Sequence, residues 1–339
     1  MDKTKTMTTA TAHAFWAHRV CGETPHLPEY GVVGLLSASQ QFDTVYLWQY
    51  ETVNNVPEHV VIRDASELLP IEIRNELMGA KNMNVAHLSD IVRFLAAARH
   101  GGWVIDVDNW WLRPPPTGFC FSTLPVKRAG ALAPRNALAL DMRRRFQKGV
   151  WDGAGTINTP FSVVKNTPFA SSLVELCRAV IQKAQRGYFV GKNTFGKSRW
   201  LVLMWGLRDL VLKHNMGNFV RPPIEYGPVP YWGGYPKHMV REDGVFNQTN
   251  VEKRTRFGTV IPHVDEIMEK SICVPTSFTF GTSTEVWKNL TPESMDIRAI
   301  AGTKPTSLLS YAYAHIMNEP SHSISGTVGS SALKTTQAQ

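Results

Sequence analysis

Between residues 14 and 214 the chain alternates short apolar runs with segments of helical period. Ala14-Phe15-Trp16-Ala17 reads as a first strand. Pro28 to Gln41 reads as a helix whose Val32, Val33, Leu35 and Leu36 form an apolar stripe. Thr44-Val45-Tyr46-Leu47-Trp48, rich in β-branched and aromatic residues, predicts a second strand, and His59-Val60-Val61-Ile62 a third. Ile71 to Met78 predicts a short helix stopped at Gly79. His87 to His100 predicts a longer one closed by Gly101-Gly102, after which Trp103-Val104-Ile105 reads as a buried strand. Phe161-Ser162-Val163-Val164 gives another strand, Phe169 to Arg186 an amphipathic helix with Leu173, Leu176, Val180 and Ile181 on one stripe, and Trp200 to His214 a further helix. Arg221 to Trp232 is rich in Pro and aromatics and reads as loop, and residues 233–318 as mixed strand and loop. This alternation predicts an α/β fold with a largely parallel sheet.

Composition narrows the picture. A chain of 339 residues is long enough for one elaborated domain or two small ones, and the absence of a clean linker favours one. The expected organisation is a tail over residues 1–12, a single domain over 13–318 and a second tail over 319–339. Within the domain, a first part is expected over about 13–125 and a second over about 126–318. With 43% hydrophobic and 19% charged residues, wholesale disorder is excluded. Cys21, Cys120, Cys177 and Cys273 are far apart, with no CxxC, which argues against a zinc module or a disulfide framework and suits a reducing compartment. There is no apolar run long enough to span a bilayer and no apolar core in the first fifteen residues, so the expected location is cytoplasmic, with peripheral membrane contact left open. A net charge of +8 favours anionic partners without choosing among them.

The chemistry concentrates between residues 86 and 108. The helix there is apolar almost all round, with Leu88, Ile91, Val92, Phe94, Leu95 and three alanines, so it is expected to be buried. Asp90 and Arg93 nevertheless sit in it at i and i+3, on one face. A buried charge is expensive unless paired or used. On these two residues alone, an internal ion pair and a ligand contact are both open. Asp106 and Asp108 follow the buried strand. If the chain stays extended, both carboxylates face one side and Val107 faces the core. Ligands in open parallel sheets bind at the carboxyl ends of strands, and two neighbouring carboxylates there repel unless a hard cation such as Mg²⁺ or Mn²⁺ sits by them. A bare DxD is also a common solvated turn.

The combination of S-D-x-x-R on a helix, a Gly-Gly stop, a short apolar strand and D-x-D over about residues 86–113 resembles the DXD-containing sugar-transferase family. That family includes mannosyl- and galactosyl-type transferases, and the glucosylating clostridial toxins are similar here. Phe15-Trp16 resembles the family's first strand, and Thr156-Ile157-Asn158-Thr159, with Val163-Val164-Lys165 and Pro168, resembles the strand after its DXD. The chain departs from the family's pattern at Trp103 and in the Ala-His-Arg that follows Trp16. The resemblance implies a GT-A-type, Rossmann-like nucleotide-sugar transferase fold with a mixed, mostly parallel sheet, its nucleotide-sugar part over about 13–125 and its acceptor part over about 126–318. It implies transfer of a hexose from a UDP- or GDP-sugar to a glycan, polysaccharide or lipid-linked acceptor, dependent on Mn²⁺ or Mg²⁺ and retaining configuration. It carries over Asp90 and Arg93 as donor-sugar contacts, Asp106 as the carboxylate on the ribose and sugar side, Asp108 as the metal ligand with Asp106 beside it, and Trp16 and Asn158 as nucleotide-sugar contacts.

The remaining signals are less specific. Lys127, Arg128, Arg135, Arg143, Arg144, Arg145 and Lys148 form a basic stretch that suits an anionic acceptor or a solvated face, and no nucleic-acid-binding signature accompanies it. Trp232-Gly233-Gly234-Tyr235 offers aromatic faces for an acceptor sugar, or ordinary packing. His238 and His263 are candidates for a further metal ligand or for structural hydrogen bonds. A metal-dependent phosphoesterase or nucleotidyltransferase using Asp106 and Asp108 is the first rival reading, and a non-catalytic nucleotide- or carbohydrate-binding module the second.

Overall fold

The computed structural model describes residues 10–17, 26–80, 83–123, 157–186, 202–221, 269, 271–275 and 308–318. The basic stretch 127–148, Cys21, Trp232 to Tyr235, His238 and His263 lie outside the described residues.

The strands are β1 (Thr11–Phe15), β2 (Thr44–Gln49), β3 (Val60–Asp64), β4 (Gly102–Val104), β5 (Asn109–Trp111), β6 (Cys120–Thr123), β7 (Ile157–Val163), β8 (Val220–Arg221) and β9 (Cys273–Pro275). The helices are α1 (Glu29–Gln41), α2 (Ile71–Gly79), α3 (Val85–His100), α4 (Pro168–Gln185), α5 (Val202–Lys213) and α6 (Leu308–Asn318). Seven strands form one sheet in the order β3-β2-β1-β4-β7-β6-β8. All run in one direction except β7, which is antiparallel to both neighbours. This is the mixed, mostly parallel α/β sheet that the sequence predicts, consistent with a GT-A or Rossmann-like fold. Strands β7 and β8, from beyond residue 125, complete the same sheet as β1 to β4.

Side-chain alternation along the strands builds a core on each face. Phe15, Trp48, Val104, Phe121 and Phe161 pack against α3, α4 and α5 on one side. Ala12, Ala14, Val45, Leu47, Trp103 and Ile105 pack under α1 and the β5–β9 ribbon on the other. Burial on both faces explains why these strands read as continuous apolar runs. Among the described residues no helix is long and apolar enough to cross a membrane.

Several boundaries differ from the sequence reading. β1 starts at Thr11, inside the stretch 1–12 read as tail, and Ala12 is fully buried there; residues 1–9 lie outside the described residues. β7 begins at Ile157, four residues earlier than its apolar run. The region read as mixed strand and loop contains α6. The buried face of α1 is made of Tyr30, Gly31, Val33, Gly34, Leu35, Ser37 and Ala38, so small residues share it with the apolar stripe. Cys120, Cys177 and Cys273 are buried, and burial holds the Cys177 and Cys273 thiols above their ordinary range.

Candidate functional site at the carboxyl ends of β1 and β4

The chain runs outward from β1 to β2 and β3, then returns to the other side of β1 to form β4. The order therefore reverses between β1 and β4, and open α/β sheets bind ligands at the carboxyl ends flanking such a switch point. Trp16 leaves the sheet at the end of β1, its N–H donating to Trp48 O at 3.2 Å. On the neighbouring strand Ile105 stays in register for one more residue, its N–H donating to His13 O at 3.1 Å, and Asp106 follows.

Helix α3 delivers the charged pair. Its N-terminus is fixed by a capping box between Asn84 and His87, and its C-terminus stops at Gly101 with φ 76°. Gly102 has φ 103°, and a Cβ there would stand 2.5 Å from Thr11 O, so both the turn and the close approach to β1 call for glycine. His13 pins the same junction. Its Nε2 lies 2.8 Å from Gly101 O, and Trp48 Nε1 donates to its Nδ1 at 3.2 Å. Burial holds the His13 ring neutral, with its pKa lowered to about 4.

Arg93 is the hub. Its Nε donates to Ser89 O at 3.2 Å, its Nη1 to Ile105 O at 2.7 Å and to Asp106 Oδ1 at 2.5 Å, and its Nη2 to Asp90 Oδ1 at 2.8 Å. The Asp90–Arg93 ion pair is therefore present, and the same guanidinium also reaches the carboxylate after β4. Both side chains are buried, at 8% and 4% exposure. Burial raises the Asp90 carboxyl to about 7, with the Asp106 charge adding to the rise and Arg93 opposing it. The guanidinium gains more from the Asp106 and Asp90 charges than it loses by burial, and its pKa is raised.

The extended reading of Asp106-Val107-Asp108 is corrected by the structure. These residues form a turn, closed by Asn109 N–H donating to Asp106 O at 3.0 Å. Asn109 Oδ1 in return accepts from Asp106 N–H at 3.0 Å. The two carboxylates consequently do not share one exposed face: the Asp106 side chain is 36% exposed and Asp108 is 8% exposed. An asparagine able to bond the backbone three residues back favours the turn over continued strand. Val107 does face the core, as expected, packing against α1.

That packing fixes the turn. A Cβ on Gly34 would lie 2.0 Å from Val107 O, so α1 rests directly on the turn's backbone. Trp110 Nε1 donates to Tyr30 O at 2.9 Å and Trp111 N–H donates to Ser37 Oγ at 2.9 Å, binding α1 to the strand that follows. On the other side Thr159 donates its hydroxyl to Asp106 Oδ2. Thr159, Asn109 and Gly34 were not singled out by sequence reasoning. The small-residue spacing of α1 was a signal for the last, and the polar Asn158-Thr159 pair in an otherwise apolar strand a signal for the first.

Burial and the neighbouring Asp106 charge push the Asp108 carboxyl well up, with Arg93 opposing. Arg93 thus contacts the Asp90 and Asp106 carboxylates, with Asp108 buried in the same turn; carboxylate oxygens are the hard donors that cations such as Mg²⁺ or Mn²⁺ prefer. Among the described residues there is no group of three or more His, Cys, Asp and Glu that could hold a metal ion. Trp16 is partly buried beside this end of the sheet, and its Nε1 is buried with no hydrogen-bond partner among the described residues. Asn158 lies in β7 opposite Ser122.

No family model and no curated protein matches the chain. Among solved structures 23 chains match. One, titled "PaToxG Glycosyltransferase", superposes with a TM-score of 0.37 at 16% identity, covering 62% of this chain and 70% of that one. A superposition that loose decides nothing about chemistry, so the functional reading rests on the residues.

Proposed function

We propose that the chain is a metal-dependent glycosyltransferase that moves a hexose from a UDP- or GDP-sugar to a glycan, polysaccharide or lipid-linked acceptor. The observation that carries it is the Asp90–Arg93–Asp106 chain of contacts, with Asp108 in the same turn, at the switch point of a mixed α/β sheet. Such a crevice suits a nucleotide, and its excess of carboxylates suits a cation-bound diphosphate. Asp108 and Asp106 would hold a Mn²⁺ or Mg²⁺, which would supply neutralisation of the diphosphate leaving group. Asp106, the more exposed carboxylate, meets the ribose and sugar side of the donor. Arg93 orients Asp106 and the sugar hydroxyls, and Asp90 holds Arg93. Trp16 lies against the nucleobase, and Asn158 contributes from β7. Buried dipoles and charges of this kind stabilise an oxocarbenium-like sugar without reorganising, and the reading takes the reaction as retaining.

Calorimetry with UDP and GDP, and donor hydrolysis across a panel of UDP- and GDP-sugars, test this. Affinity should rise strongly on adding Mn²⁺ or Mg²⁺, and Asp108→Asn should abolish hydrolysis while leaving the melting temperature within a few degrees. Equal nucleotide binding in EDTA would remove the cation from the reading. Absence of turnover with every donor would remove the transferase.

A further inference from the structure

The β6–β7 ladder jumps register beside the site. Phe121 stands opposite Phe161 and Ser122 opposite Asn158, so Thr159 and Pro160 are extra residues with no partner on β6. A bulge of this kind gives up ladder hydrogen bonds and re-aims a side chain. Here the hydroxyl of the buried Thr159 donates to Asp106 Oδ2. The other oxygen, Oδ1, already accepts from Arg93 on α3 at 2.5 Å. A partly exposed aspartate on a turn with one donor can rotate about its side-chain bonds; two donors from separate elements, on its two oxygens, leave it one rotamer. Arg93 is itself fixed by Ser89 O and Ile105 O, and the Asp106 backbone by Asn109. Thr159 is therefore the second jaw of a clamp whose first jaw is Arg93.

We propose that Thr159 is a positioning residue of the transferase site, holding the Asp106 carboxylate in the orientation from which it meets the donor. The inference rests on the transferase reading above. Thr159 acts through Asp106, and the bulge in β7 exists to bring its hydroxyl there.

The test compares Thr159→Val, which keeps the shape and removes the hydroxyl, with Thr159→Ser and Thr159→Ala, which differ from each other only by the hydroxyl. Donor hydrolysis, Mn²⁺-dependent UDP or GDP binding and melting temperature are measured on the full chain. Thr159→Val and Thr159→Ala should lose about 10- to 100-fold in kcat, the scale of a misplaced catalytic group. KM should stay within a few-fold and Thr159→Ser should recover most of the rate. If Thr159→Val does not fold, the Ser/Ala pair alone decides. Equal kcat in Thr159→Ser and Thr159→Ala, whether both match wild type or both fall together with melting temperature, overturns the positioning role. A wild-type protein that neither hydrolyses any donor nor binds nucleotide with Mn²⁺ fails before any substitution is made; that result overturns the transferase reading and the clamp's purpose with it.

Discussion

Replacing Arg93 by methionine separates the structural from the functional use of the buried charges. The substitution removes the partner of Asp90, whose side chain is 8% exposed, and releases Asp106 Oδ1 and two backbone carbonyls. Breaking one side of a buried pair costs roughly 3–5 kcal/mol. At about 2.1 cal/mol/K per residue, 339 residues carry an unfolding entropy of about 0.7 kcal/mol/K, so the melting temperature should fall by roughly 4–7 °C. The penalty depends on pH with a definite sign. Asp90 titrates at about 7 in the folded protein against about 4 unfolded, so the native state binds the extra proton and stability falls as pH rises through that window. Without the guanidinium the carboxyl rises further, and Arg93→Met should be less destabilised at pH 5 than at pH 8. The double variant Asp90→Leu with Arg93→Met removes both charges; apolar replacement of a buried pair is often neutral or stabilising by roughly 1–4 kcal/mol, so folding should recover. Donor hydrolysis should not recover, because Asp106 has lost one of its two donors. Thermal unfolding and turnover on the same three proteins check this. A double variant that is both stable and fully active would refute the reasoning and make the pair scaffold only.

Two further outcomes follow from the packing around the same turn. Gly34→Ala places a methyl 2.0 Å from Val107 O, so α1 must move off the turn; thermal unfolding should show a loss of roughly 1–3 kcal/mol, and unchanged stability with unchanged turnover would show that α1 does not brace the site. His13 titrates at about 4 when folded against about 6.5 unfolded, so the native state binds fewer protons in that window and stability falls as pH drops through it, by about 3 kcal/mol at full extent. Asp90 works in the opposite sense over an overlapping range, so the measurement is a difference. Urea unfolding of His13→Gln should lose less stability than wild type between pH 7 and pH 4.5, and parallel curves would contradict a buried neutral His13.

The fold was legible wherever burial on both faces writes continuous apolar runs. Thr44 to Trp48 and the helix ending at Gly101-Gly102 were readable because β-branched residues, aromatics and a glycine stop all point one way. The Asp90–Arg93 pairing was readable because these residues break an apolar helix, and a break of that kind demands a partner. Their geometry was not readable. Whether Asp106-Val107-Asp108 continues as strand or turns is decided by Asn109, a single side chain bonding to the backbone, which carries no periodicity. The bulge at Thr159 and the small-residue face of α1 are likewise set by tertiary contacts, with Asp106 and with Val107 O.

The turn from Asp106 to Asn109 is held from three directions at once. Arg93 reaches it from α3 on one face of the sheet, α1 rests on it from the other face at Gly34, and Thr159 reaches it from β7. None of these contacts is local in sequence, and each belongs to a different packing layer. Displacing any one layer therefore moves the carboxylates relative to the other two. A site that must meet a charged ligand gains from this, since donors and carboxylates already fixed in place need not reorganise as charge develops. The cost is visible in the same residues: a carboxyl raised to about 7 at Asp90, a second pushed well up at Asp108, and a strand that gives up part of its ladder at Thr159. Apolar residues in place of a buried ion pair often pack as well or better, so these features cost stability where they stand. Their meeting at the carboxyl ends of β1 and β4 is the feature on which the proposed site rests.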